Sequence, residues 1–198
     1  MPFTVSILTC ILVYVWLIEP NVTRSAVLIP AAMVVILTMW HDLRYREWGF
    51  SWSALVPGLW RALVVSIAAL LLILGVGVAL GTLHDRRDFL GSLAPLVLWG
   101  GAQQWVLQTV VLREAQRATS GGKGIVLAAV LFGVVHLPNP LLTAVTAAAA
   151  LVWCWLYDRH PNIVPLALSH GLGTLALRYA FDEAMIGRLR IGAAYLRQ

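Results

Sequence analysis

The amino-acid sequence predicts an all-α fold, a polytopic membrane helix bundle of about seven transmembrane helices. Three observations carry that reading. Apolar residues make up 60% of the 198, against only 14 Lys or Arg and 9 Asp or Glu. A soluble domain needs charge on about 25% of its residues to cover its surface, so with a mean hydropathy of +0.83 much of this surface must face lipid. The charges are also segregated, because residues 62–83, 89–112, 125–157 and 160–177 contain no Asp, Glu, Lys or Arg. Finally, the chain is rich in Leu, Val and Ala and has only two cysteines, Cys10 and Cys154, both within apolar runs. That composition excludes a disordered chain, a collagen and a disulfide scaffold.

The elements follow from where the charges fall. Residues 2–18 form a first span; no basic stretch precedes it and no small-residue cleavage pattern precedes Glu19, so it is expected to be retained rather than removed as a signal peptide. After Glu19-Pro-Asn-Val-Thr-Arg24, residues 25–40 form a second span. His41 to Leu55 mixes arginines with Trp48, Phe50 and Trp52 and is expected to be an interfacial helix with its aromatics at headgroup depth. A substrate-gating element is the functional alternative. Residues 62–83 and 89–112 are each long enough to cross hydrocarbon once, at about 20 residues per crossing. Ser120-Gly-Gly-Lys-Gly124 reads as a flexible loop, since it lacks the strand and spacing of a phosphate-binding P-loop. The blank run 125–157 is too long for one span, and His136-Leu-Pro-Asn139-Pro140 divides it into a helical hairpin. Residues 160–177 form the last span, with Asn162 to Pro165 capping and bending its start. The whole chain, 1–198, reads as a single integral membrane domain.

Lys and Arg are retained on the cytoplasmic side. Loops after the second, fourth and sixth spans hold Arg44, Arg46, Arg61, Arg113, Arg117, Lys123 and Arg159, and the opposite loops hold Arg24, Arg86 and Arg87. The N-terminus is therefore expected in the cytoplasm, against the pull of Arg178, Arg188, Arg190 and Arg197 near the C-terminus. The net charge of +5 suits an anionic lipid bilayer, and no motif supports a nucleic-acid partner.

Polar groups within spans are costly and tend to face the bundle interior. On the fourth span Gln104 and Gln108 lie one helical turn apart, with Gln103 about 100° away; the bland alternative is that these amides only bond neighbouring helices. Phe132-Gly-Val-Val-His136 ends the fifth span beside Asn139. His170-Gly-Leu-Gly-Thr174 places an imidazole and a hydroxyl one turn apart in the last span. Each histidine taken alone reads as a capping or satisfied core residue.

In order and spacing these pieces resemble the CAAX prenyl protease and bacteriocin-processing (Abi) family of intramembrane endopeptidases. That family carries Glu-Glu-x-x-x-Arg, then Phe-x-x-x-His, then His-x-x-x-Asn or a close variant. Here Gln103-Gln104-x-x-x-Gln108, Phe132-x-x-x-His136 and His170-x-x-x-Thr174 take those positions, and Trp48-Gly-Phe before the third span is similar to the family's Leu-Gly-Leu. The resemblance covers roughly residues 45–180 and implies a bacterial inner-membrane protein acting on a membrane-anchored peptide. It also implies His136, His170, Gln103, Gln104 and Thr174 as catalytic residues, with Phe132, Gln108 and Asn139 binding substrate.

The departures fall on the chemistry. A carboxamide has no accessible basic site near neutral pH, so Gln103 and Gln104 can orient a water but not deprotonate it. Losing a general base costs about 10² to 10⁴ in rate. Glu114 is no obvious substitute, because it lies roughly 15 Å further along the helix. The remaining candidate bases are His136 and His170, and Thr174 can donate to an oxyanion where the family has an amide. Gln108 in place of Arg removes the cation whose partners are also missing, so the site is neutral as a set. No cofactor or metal is expected, since two histidines fall short of the three protein ligands of catalytic zinc. Neither cysteine has a neighbouring base. The readings are a divergent endopeptidase with a histidine base, a catalytically silent relative that binds peptides or partner helices, and a small transporter-like protein, which the absence of repeat symmetry disfavours. No oligomeric state is implied. If the site forms, its five catalytic candidates are expected to converge on one cavity, because each would be unsatisfied against lipid.

Overall fold

Pro and Gly mark several of the helix boundaries in the computed structural model, which describes residues 1–84 and 89–197. Arg86 and Arg87, two of the charges used to orient the chain, lie outside the described residues. Helix α1 (Pro2–Val13) begins on a proline and runs into a π-helical segment, Tyr14–Ile18. After two short 3-10 turns comes α2 (Leu28–Tyr45). Helix α3 (Trp52–Leu80) ends on Gly81, whose φ of 67° is easily reached only by glycine. Helix α4 (Phe89–Trp105) continues through a second π-helical segment, Val106–Leu112, into α5 (Arg113–Ala118). Then come α6 (Gly121–Val134), α7 (Pro140–Arg159), α8 (Ile163–Ala180) and the short α9 (Gly192–Leu196). The described residues contain no strand. Each of the seven predicted spans is largely helical, and the all-α, polytopic reading holds. Among the described residues, Pro2–Asn21, Ser25–Tyr45, Trp52–Leu80 and Pro140–Arg159 are long and apolar enough to cross a bilayer, and Gly121–Val134 is apolar but shorter.

Two expectations are corrected. Residues 41–55 do not form one interfacial helix. Helix α2 stops at Tyr45, Arg46 adopts a left-handed conformation (φ 56°, ψ 39°), and the Glu47 N–H returns to the Asp42 carbonyl at 3.2 Å; α3 starts anew at Trp52. The aromatics are nonetheless exposed, Trp48 and Trp52 strongly so. Nor is Ser120–Gly124 a loose loop. Ser120 is the extended residue before α6, and the glycines form its first turn. Gly124 is buried there against α5, where an added Cβ would fall 2.8 Å from the Gln116 backbone. Tertiary packing has overridden the low helix propensity of glycine.

The described chain forms two compact units: Met1–Trp48 with Val106–Cys154 and Leu189–Gln198, and Gly49–Trp105 with Trp155–Arg188. In the first, α1 and α2 run antiparallel, with the Phe3 ring edge-on to Trp40 and His41 at one end. The Glu114 carboxylate, 4% exposed, accepts from the N–H groups of Thr4 (2.8 Å) and Phe3 (3.4 Å). It thus satisfies donors that the start of α1 leaves open, and sits where the helix dipole favours an anion.

In the second unit α8 packs along α3 and α4. The inward residues of α3 are Ala54, Gly58, Ala62 and Ser66, one every turn, while Leu71 and Leu72 are about 70% exposed. Small residues inside and large ones outside is the pattern by which helices approach in lipid. Asn162 caps α8 by accepting from Val164 N–H at 2.9 Å, as expected, and its amide donates to the Ser51 carbonyl before α3. At the other end Thr82 donates to the Ala180 carbonyl at 2.6 Å. Helices α3 and α8 are therefore parallel. Helix α4 opposes them, since Val97 meets Gly171 and Gly101 meets Ala167.

Candidate active site

The motif residues fall into two groups, one in each unit. In the second unit Gln104 is fully buried on α4 and His170 is 7% exposed on α8. The Gln104 Nε2 lies 3.4 Å from Nδ1 of His170. An amide nitrogen only donates, so with the amide in this orientation Nδ1 accepts and the ring proton sits on Nε2. Glycine makes the approach possible, because a Cβ added at Gly100 would stand 3.0 Å from Cβ and Cγ of His170. Across the same helix pair, Gly171 lies so close to Val97 that a Cβ there would reach within 2.6 Å of its Cγ2. On the other side, Ser66 of α3 donates to Ser169 at 2.9 Å, which fixes the rotation of α8 one residue before His170. Gln103 and Thr174 are both half-buried in their helices.

In the first unit the chain turns between α6 and α7 at residues 135–139. His136 is 9% exposed, and its Nδ1 lies 2.7 Å from the carbonyl oxygen of Phe132. A carbonyl only accepts, so Nδ1 carries the proton and Nε2 keeps its lone pair. The Phe132 ring packs edge-on against the imidazole, with centroids 5.0 Å apart, and against Trp153. Asn139 is fully buried. Its side-chain oxygen accepts from Leu142 N–H at 3.0 Å, capping α7, and its amide donates to the Arg190 carbonyl at 3.3 Å. Gln108 is also fully buried, within the π-helical segment. The α-helical spacing that relates position 104 to 108 in the sequence therefore passes into a wider turn at Val106, and such turns often mark functional sites.

Two features escape the sequence. Gly100 and Gly171, which let α4 and α8 close around His170, are not marked out among the 16 glycines of the chain. A charged network around the buried His41 and Asp42 at the end of α2 is the other. There the His41 Nδ1 lies 3.0 Å from Asp42, Arg117 lies 3.2 Å from the His41 Nε2, and Glu47 pairs with Arg113 and Arg117.

No curated protein and no solved structure matches the chain. Residues 87–176 match the family model described as "Rce1-like: Type II CAAX prenyl endopeptidase Rce1-like". Those residues include Gln103, Gln104, Gln108, Phe132, His136, Asn139, His170 and Thr174, and the match bears out the resemblance read from the motifs. The stretch that carries the candidate site is thus similar to the Rce1-like type II CAAX prenyl endopeptidases.

Proposed function

We propose that this chain is a divergent intramembrane endopeptidase that hydrolyses a membrane-anchored peptide, with histidine in place of the usual carboxylate base. The family match over the segment containing all three motifs carries the reading. Each histidine, within its own unit, has a tautomer that suits the role the family pattern gives it. His136, its Nδ1 proton committed to Phe132, takes a proton from water on Nε2 as the water oxygen bonds to the scissile carbonyl carbon. His170, its Nδ1 facing the Gln104 amide, and Thr174 donate to the oxyanion that forms. Collapse of the tetrahedral intermediate breaks the C–N bond, and the imidazolium of His136 returns its proton to the leaving amine. Gln103 and Gln104 orient the water, and Phe132, Gln108 and Asn139 hold the peptide. The protein would sit in a bacterial inner membrane, N-terminus in the cytoplasm.

The test is hydrolysis of a library of membrane-anchored peptides in lipid by wild type and a His136→Ala, His170→Ala variant. Cleavage by wild type that disappears in the variant supports the proposal, and cleavage that persists refutes it. The neutral Gln103-Gln104 pair favours a second reading, a silent relative that binds such peptides. Binding without cleavage by wild type selects it.

A further inference from the structure

The turn that carries His136 is already occupied by a peptide, the chain's own C-terminal segment. After α8 the backbone passes through left-handed conformations at Gly187 (φ 53°), Arg188 (φ 49°) and Leu189 (φ 55°). It then runs extended through Ile191 (φ −131°, ψ 172°). Two hydrogen bonds hold this run. The Arg190 carbonyl accepts from the Asn139 amide at 3.3 Å, and the Gly192 N–H donates to the Leu137 carbonyl at 2.8 Å. In an extended strand the C=O of one residue and the N–H of the residue two places on point to the same side. Leu137 and Asn139 thus present an acceptor and a donor at main-chain spacing, the means by which extended peptides are recognised independently of sequence.

Selectivity enters at Gly192. It is buried with φ 57°, and a Cβ there would run into the Val15 carbonyl of the π-helical segment after α1. Only glycine fits. Beyond it α9 packs on that same segment, and Arg197 donates to the Pro20 carbonyl at 3.1 Å. Leu137, next to His136, is itself 41% exposed.

We propose that Leu137 and Asn139 form a main-chain subsite for an extended peptide with glycine at its third position, and that residues 190–192 occupy it as a self-inhibitory strap. The inference rests on the endopeptidase reading only for the meaning of the peptide. A substrate segment displaces Arg190-Ile191-Gly192, forms the same two bonds, and lies beside His136.

The test uses the full-length protein in lipid nanodiscs and a fluorescent peptide of sequence RLRIGAAYLRQ, read by anisotropy without any need for hydrolysis. Wild type binds weakly, because an apparent dissociation constant is raised by the fraction of molecules whose site is closed. Gly192→Val expels the strap and lowers that constant about tenfold if the strap is closed nine-tenths of the time. Arg197→Ala, which removes only the outer anchor, gives a smaller decrease and serves if Gly192→Val does not fold. A peptide with valine in place of glycine fails to bind any of them. Unchanged affinity in both variants, with trypsin cleavage at Arg190 showing the strap released, overturns the proposal, as does equal binding of the valine peptide. Tight binding of this peptide with no hydrolysis of any membrane-anchored peptide counts against the endopeptidase reading alone, whereas hydrolysis of other peptides with no binding of this one counts against the strap alone.

Discussion

The Nδ1 of His136 donates to the carbonyl of Phe132, four residues earlier in the chain, at 2.7 Å. The acceptor is a backbone atom, so the tautomer depends on the fold of α6 rather than on the Phe132 side chain. The ring's Nε2 is left basic, the state a general base requires.

Replacing His136 by alanine should therefore lower kcat by about 10² to 10⁴ with little change in melting temperature. Phe132→Leu keeps the carbonyl, so it should cost less than tenfold in kcat, any weaker hold on the peptide appearing in KM. Steady-state hydrolysis of a membrane-anchored peptide measures both. If Phe132→Leu is as damaging as His136→Ala, the backbone bond is not what sets the ring.

The glycines of the α4 and α8 contact should separate stability from activity. Gly171→Ala drives a methyl to 2.6 Å from Val97 Cγ2 and 3.0 Å from its backbone, an overpacking that costs about 1–3 kcal/mol and lowers the melting temperature in detergent. Gly100→Ala presses on Cβ and Cγ of His170 at 3.0 Å, a milder contact that shifts the imidazole, and should reduce kcat more than stability. Gly101→Ala meets only Ala167 Cβ, at an ordinary 3.4 Å, and should be silent in both measurements.

Glu114 lies too far along the helix from Gln104 to replace the missing carboxylates. Its oxygens instead hold the first N–H groups of α1. Glu114→Ala should cost about 1–3 kcal/mol of stability, the penalty for buried donors left unmade. Activity per folded molecule should not change. Loss of activity without loss of stability would make Glu114 a catalytic candidate after all.

What the sequence announces here is what local chemistry dictates. The turn at His136 to Pro140 is legible because two prolines bracket an asparagine, and the start of α8 because Asn162 is a strong cap. Small residues every turn along α3 are equally visible once lipid is known to be the solvent. Contacts between distant segments are not legible. Nothing local joins Glu114 to Thr4, Gln104 to His170, or Arg190 to Asn139. The same blindness explains the misread loop, since the glycines of 121–124 look flexible until Gln116 is known to lie against one of them. Motif order carries the family resemblance and the candidate residues it implies, whereas the proton positions on the imidazoles need coordinates.

The last prediction concerns the neutral pair. Gln104 is fully buried and turns its amide nitrogen toward His170. Gln104→Glu exchanges a donor for a group that only accepts when ionised, so the contact survives only if the ring places a proton on Nδ1. If the glutamines hold water for catalysis, the new carboxylate restores the family's base beside the imidazole, and turnover should be kept or increased. If they only brace the helices, a buried charge without a partner should destabilise the fold by about 3 kcal/mol. Gln108→Arg supplies the family's cation and should relieve that penalty in the double variant, since partners in one site couple by about 0.5–3 kcal/mol. Peptidase activity and melting temperature in detergent for both single variants and the double complete the cycle. Strict additivity in both quantities means that positions 104 and 108 do not act as one site, and the alignment with Glu-Glu-x-x-x-Arg is then lost.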